Sequence, residues 1–131
     1  MIKLVLPVYY TQTYKTKPNK TILVGMNWYR NAHHFAQNTI KQEFSSIIKN
    51  QLVNYSITFN KFEVEYVYYY KSKISDLSNV CSMASKIVLD SLQELNIVQN
   101  DNVQYCLRET FIVGLEDKSN PRIEVTIKPV S

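Results

Sequence analysis

The stretch "FEVEYVYYYKSKISDLSNVCSMASKIVLDSLQELN", residues 62–96, changes its periodicity part-way through. Phe62 to Tyr70 is β-branched and aromatic, and Glu63 and Glu65, two apart, share one side, the pattern of a half-buried strand. From Ser78 onward the spacing is helical. Leu77, Val80, Cys81, Ala84, Ile87, Val88, Leu92 and Leu95 fall on one broad face at about 100° per residue, which predicts an amphipathic helix. Asn96 suits the left-handed position that ends such a helix. Asn79, Met83, Lys86 and Asp90 fall on the opposite side, and these polar positions are expected to point away from the core.

The same reading extends in both directions. Residues 2–8 are apolar enough for a buried strand. Thr11 to Val24 holds the turn cluster Lys15-Thr16-Lys17-Pro18-Asn19-Lys20 between two arms, so a hairpin with a basic tip is expected. From Asn27, as cap, Trp28, Ala32, Phe35, Ile40, Phe44, Ile47, Ile48 and Leu52 recur at three- and four-residue steps, which predicts one long helix ending near Asn54. Two strands follow the second helix, near Val103–Val113 and Arg122–Lys128, separated by the polar turn 116–121. The order β, β-hairpin, α, β, α, β, β implies an α+β fold, with two main helices packed on a mixed or antiparallel sheet.

A length of 131 residues with 45% apolar side chains fits a single domain over 1–131, and 2 Gly and 4 Pro leave little room for linkers. The opening apolar run is too short for a signal peptide or membrane span, so a cytoplasmic protein without membrane contact is expected. Cys81 and Cys106 read as buried thiols rather than a bridge. No Gly-rich phosphate loop, Cys/His zinc spacing or nucleophile elbow is present, which sets aside nucleotide hydrolysis, zinc binding and triad chemistry.

Charge is unevenly placed. Residues 1–42 hold six basic side chains (Lys3, Lys15, Lys17, Lys20, Arg30, Lys41) and no acid, whereas the remainder holds nine basic and eleven acidic. A cationic surface at one end attracts a phosphate backbone, because each neutralised phosphate releases a condensed counterion. A solvated basic hairpin serving solubility is the plainer alternative. Tyr9, Tyr10, Tyr14 and Tyr29 lie in the same acid-free region, where rings could stack on unpaired bases; Tyr66, Tyr68 and Tyr70 read as sheet packing or a subunit contact. His33 and His34 read as exposed or phosphate-facing side chains rather than metal ligands.

Two polar turns bracket the second helix: Asp76-Leu77-Ser78-Asn79 at its start and Gln99-Asn100-Asp101-Asn102 after its end. Lys86 and Asp90, four apart, read by themselves as an exposed helix pair. Together these pieces resemble the RusA family of phage Holliday-junction resolvases. The opening strand ending in Leu6-Pro7, the basic hairpin and Asn27-Trp28-Tyr29-Arg30 are similar to that family. So are Asp76-Leu77-Ser78-Asn79, against its Asp-Leu/Ile-Asp-Asn, and Lys86 with Asp90 after an insertion of about one helical turn. Asn100-Asp101-Asn102-Val103 and Pro121–Ile127 complete the likeness, which covers nearly the whole chain.

The resemblance implies a small α+β homodimer that binds Mg²⁺ and cuts branched DNA. It also implies Asp76 and Asp101 as metal ligands and Lys86 as the active-site lysine. Ser78 stands where the family has an aspartate, and Asn100 also replaces an acid. A neutral hydroxyl is a poor exchange for a carboxylate at a Mg²⁺ site. The expectation is therefore a catalytically impaired relative that grips branched or folded nucleic acid, a DNA junction or a structured RNA such as transfer RNA. Lys15, Lys17, Lys20, Arg30 and Lys86 would supply the contacts. Phage context adds an anti-CRISPR role on a host CRISPR nucleoprotein complex. The alternatives are an active Mg²⁺-dependent junction endonuclease and a protein-interaction domain with no nucleic-acid contact.

Overall fold

The alternation in Phe62–Tyr70 is realised as the central part of a sheet in the computed structural model, which describes residues 1–130. Strand β1 covers Ile2–Pro7, β2 Tyr9–Gln12, β3 Lys20–Leu23, β4 Lys61–Tyr70, β5 Cys106–Glu116 and β6 Arg122–Val130. Helix α1 covers Met26–Asn31, α2 His34–Leu52 and α3 Leu77–Glu94. The main sheet has the order β1-β6-β4-β5, and β2-β3 form a separate hairpin. Pairing is antiparallel between β1 and β6 and between β6 and β4, and parallel between β4 and β5. The fold is α+β with a mixed sheet, and α3 is the crossover that parallel strands require.

Phe62, Val64, Tyr66 and Tyr68 of β4 alternate toward the helices and are buried, as are Ile123, Val125 and Ile127 of β6. They share one core with Ile2, Leu4 and Leu6 of β1, with Ile40, Phe44, Ile48 and Leu52 of α2, and with the apolar face of α3. Tyr66, at the bottom of this layer, donates its phenol to Glu109 Oε2 at 2.7 Å, and Ser85 donates to the same oxygen at 2.6 Å. Burial first, then the Glu109 carboxylate, push the Tyr66 phenol well above its ordinary range. Burial likewise drives the Cys81 thiol up to about 12, and both cysteines are free.

Four local expectations are corrected. The predicted single first helix is two helices, broken where Ala32 and His33 are extended (ψ 151 and 145). The break is held by polar side chains that resemble helix surface: Asn31 donates to Asn27 O at 2.8 Å, Gln37 donates to Tyr29 O, and His33 Nδ1 accepts from Phe35 N at 3.3 Å as the cap of α2. Gly25, not Asn27, is the N-cap of α1. Met83 is fully buried rather than on an open polar face, because α3 is covered by α2 and by Val8 and Val24 as well as by the sheet. Conversely, Leu95 lies past the helix end and is 40% exposed.

The C-terminal end of α3 follows the expected chemistry. Asn96 has φ 58, and the Ile97 amide returns to Leu92 O at 2.9 Å. Strand β5 begins three residues later than expected, because 103–105 form a turn in which the Cys106 amide bonds to Asn102 O at 2.9 Å.

Candidate nucleic-acid interface

Helix α1 has six residues and no fully buried side chain, and Met26, Trp28 and Tyr29 pack half-buried against the core. Asn79, in the first turn of α3, adds a polar tie. The Asn79 side-chain oxygen accepts from the Asn27 amide at 2.7 Å, taking one of the unpaired donors at the start of α1. Gly25 makes room for it: a Cβ there would lie 2.5 Å from Asn79 Nδ2. This glycine is needed for close approach, since its φ of −129 suits any residue.

Fixing α1 sets Tyr29 between the two long helices. Lys41 of α2 reaches toward the Tyr29 ring, with Nζ 5.9 Å from the centroid, and Lys86 of α3 does the same at 5.8 Å. Both lie at the outer range of a cation–π contact, worth about 0.5–1 kcal/mol at a solvated site. Lys86 thus leans to Tyr29 rather than pairing with Asp90 one turn along. The polar side of α3 runs along α1 and α2, where the sequence suggested open solvent.

The hairpin carries the other expected contacts. Lys15 and Lys17 lie in its exposed tip and Lys20 at the start of β3. Lys17 Nζ is 4.6 Å from the Tyr14 ring centroid, and the Tyr14 hydroxyl donates to Gln12 at 2.7 Å, which stiffens the tip. Arg30 is exposed beside Tyr29. Among the described residues none of Lys15, Lys17, Lys20, Arg30, Lys41 and Lys86 has a carboxylate partner; the ion pairs use Lys49, Lys118 and Arg122. Lys71, just after β4, adds a cation 5.6 Å from the Tyr9 ring and went unnoticed in the sequence, where nothing marks it as a neighbour of β2. Lys41 also went unassigned, although its acid-free surroundings gave the signal.

The structure spreads Asp76, Lys86 and Asp101 rather than gathering them. Asp76 is the N-cap of α3, accepting from the Ser78 amide and the Ser78 hydroxyl, both at 3.1 Å. Asp101 lies beyond the opposite end, in the turn leading to β5, and the 18-residue helix between them is about 27 Å long. Lys86 is about 15 Å along the axis from Asp76, by the same rise per residue. Strand β5 does fold back beside β4, but Asp101 precedes it and stays at the far end. His33 and His34 stack, with ring centroids 4.4 Å apart. Among the described residues no group of three His, Cys, Asp or Glu side chains is placed to share a metal ion. A lone capping carboxylate beside a serine does not fit a two-ion Mg²⁺ centre within one chain.

Between α2 and α3 lies an open groove of about 320 Å³, bordered by Lys41 and Asp90 and closed at one end by the Lys49–Glu94 ion pair. No protein-family model matches the chain, and no curated protein matches it. Among the described residues no helix is long and apolar enough to cross a membrane.

Proposed function

We propose that this protein binds branched or folded nucleic acid through the hairpin, α1 and the adjoining edges of α2 and α3, and that it does not cut efficiently. The observation that carries the reading is the convergence of Lys41 and Lys86 on Tyr29, beside Arg30 and without acidic partners. Cations left unneutralised by the protein are free to displace counterions from phosphates, and a tyrosine among them offers a stacking surface. Efficient cleavage is disfavoured by the placement of Asp76 and Asp101 at opposite ends of α3. Ser78 adds to this, because its hydroxyl serves the helix cap and brings no charge. The likeness to phage resolvases adds a homodimeric assembly and a counter-defence role to the proposal.

The test is a labelled four-way DNA junction and a folded RNA, each titrated with protein at several salt concentrations with and without Mg²⁺. Binding that weakens steeply with salt, with no cleavage by the native protein or by Ser78→Asp, is the expected result. Prompt Mg²⁺-dependent cleavage by the native protein, abolished by Asp76→Ala, would overturn the non-cutting part. Absence of salt-sensitive binding to either probe would overturn the whole and favour a protein-interaction role.

A further inference from the structure

The groove between α2 and α3 contains an unusual separation of charge. Asp90 takes no ion pair and no side-chain hydrogen bond among the described residues, although a lysine stands four residues before it. Lys86 is drawn to Tyr29 and joined there by Lys41. Lys41 lines one end of the groove, Asp90 adds a free carboxylate farther along, and the Lys49–Glu94 pair stops the far end. A volume of about 320 Å³ falls at the lower end of the usual size of small-molecule sites.

We infer that this groove takes one unpaired guanine nucleotide, with its phosphate at the Lys41 end and its Watson–Crick edge on Asp90. The choice of base follows from the carboxylate. An ionised aspartate offers two oxygens that only accept hydrogen bonds. Guanine presents two neighbouring donors, N1–H and N2–H, on its pairing edge. Adenine and cytosine present a donor next to an acceptor, and uracil one donor between two acceptors, so each sets a lone pair against the carboxylate. Asn38 and Gln42 border the same groove and carry amide donors of the kind O6 accepts from, and Ile87 supplies apolar surface. The pairing edge is free only in a loop, bulge or single strand, which is where protein recognition of folded nucleic acid usually reads bases.

The proposal rests on the nucleic-acid reading for the origin of the nucleotide, while the groove can be tested without it. Guanosine, adenosine, cytidine and uridine monophosphates are titrated into the labelled full chain, following backbone amide shifts. GMP is expected to shift amides of 38–49 and 86–94 and to bind about tenfold tighter than the other three, the discrimination expected of a two-point contact. Asp90→Asn, of the same shape, should abolish that preference, whereas Glu65→Gln on the opposite face of the sheet should keep it. Hairpin oligonucleotides with a single bulged guanine, made as RNA and as DNA, show which of the two supplies the base. Equal binding of all four nucleotides, shifts elsewhere in the chain, or a preference that survives Asp90→Asn would overturn the assignment. Loss of junction binding with retained GMP preference would defeat the larger reading and leave the groove standing.

Discussion

Replacing Gly25 by alanine should be harmful in the native chain and nearly harmless once Asn79 is gone. The Asn79 oxygen holds the Asn27 amide at 2.7 Å, and a Cβ on residue 25 would lie within 2.7 Å of three atoms of the same side-chain amide. Asn79→Ala removes one hydrogen bond to a helix-terminal donor and should cost about 1–1.5 kcal/mol. Gly25→Ala should expel the Asn79 amide, losing that bond and adding contact strain, for about 1.5 kcal/mol. With Asn79 already truncated the three atoms nearest the added methyl are gone, and the backbone at φ −129 and ψ 176 accepts it. The alanine then gains about 0.5 kcal/mol by restricting the unfolded chain. The double variant should therefore fall about 2 kcal/mol short of the summed single effects. Urea unfolding, followed through Trp28 in α1, the only tryptophan, reads the stabilities. Additivity to within about 0.5 kcal/mol would refute the reasoning, because the two residues would then be acting independently.

Three further outcomes follow from the same geometry. Lys41→Ala and Lys86→Ala should each lower the slope of log affinity for a four-way junction against log salt by about one, and Lys118→Ala should leave it unchanged; equal slopes in all three would remove these lysines from the interface. Tyr66 and Tyr68 stay protonated in the fold while their unfolded counterparts ionise near 10, so the unfolded state binds fewer protons and stability should fall as pH rises through about 10 to 11. Urea midpoints across that range, with tyrosinate absorbance, check this, and a flat profile would contradict the burial of both phenols. A disulfide-exchange reagent should modify half-buried Cys106 slowly and leave Cys81 untouched until the chain unfolds, when both react together.

What could be read from residues alone was whatever repeats along an element. The period-two run in β4, the apolar stripe of α3 and the helix-ending Asn96 are local signals, and each appears in the fold. The break between α1 and α2 escaped, since Asn31, His33 and Gln37 satisfy it through bonds to backbone groups that helical spacing cannot reveal. Met83 escaped for a related reason: a helix wrapped on several sides has more buried surface than one apolar stripe. At the site, the excess of lysines was visible but their convergence on Tyr29 was not, because it depends on Asn79 fixing α1 across 52 residues of chain. The separation of Asp76 from Asp101 depended on which end of the sheet the turn after α3 would occupy.

The placement of β6 between β1 and β4 has a bearing on how the protein is made. Residues 122–130 are translated after the other elements of this sheet, yet they fill its middle. Until they leave the ribosome, β1 has no partner and the row Ile2, Leu4, Leu6 has no neighbour on the sheet to cover it. A message cut short before codon 122 would leave a gap through the interior rather than a shortened edge. Such a product would expose the apolar rows of β1 and β4 that β6 otherwise separates and covers, the kind of surface that proteases and aggregation act on.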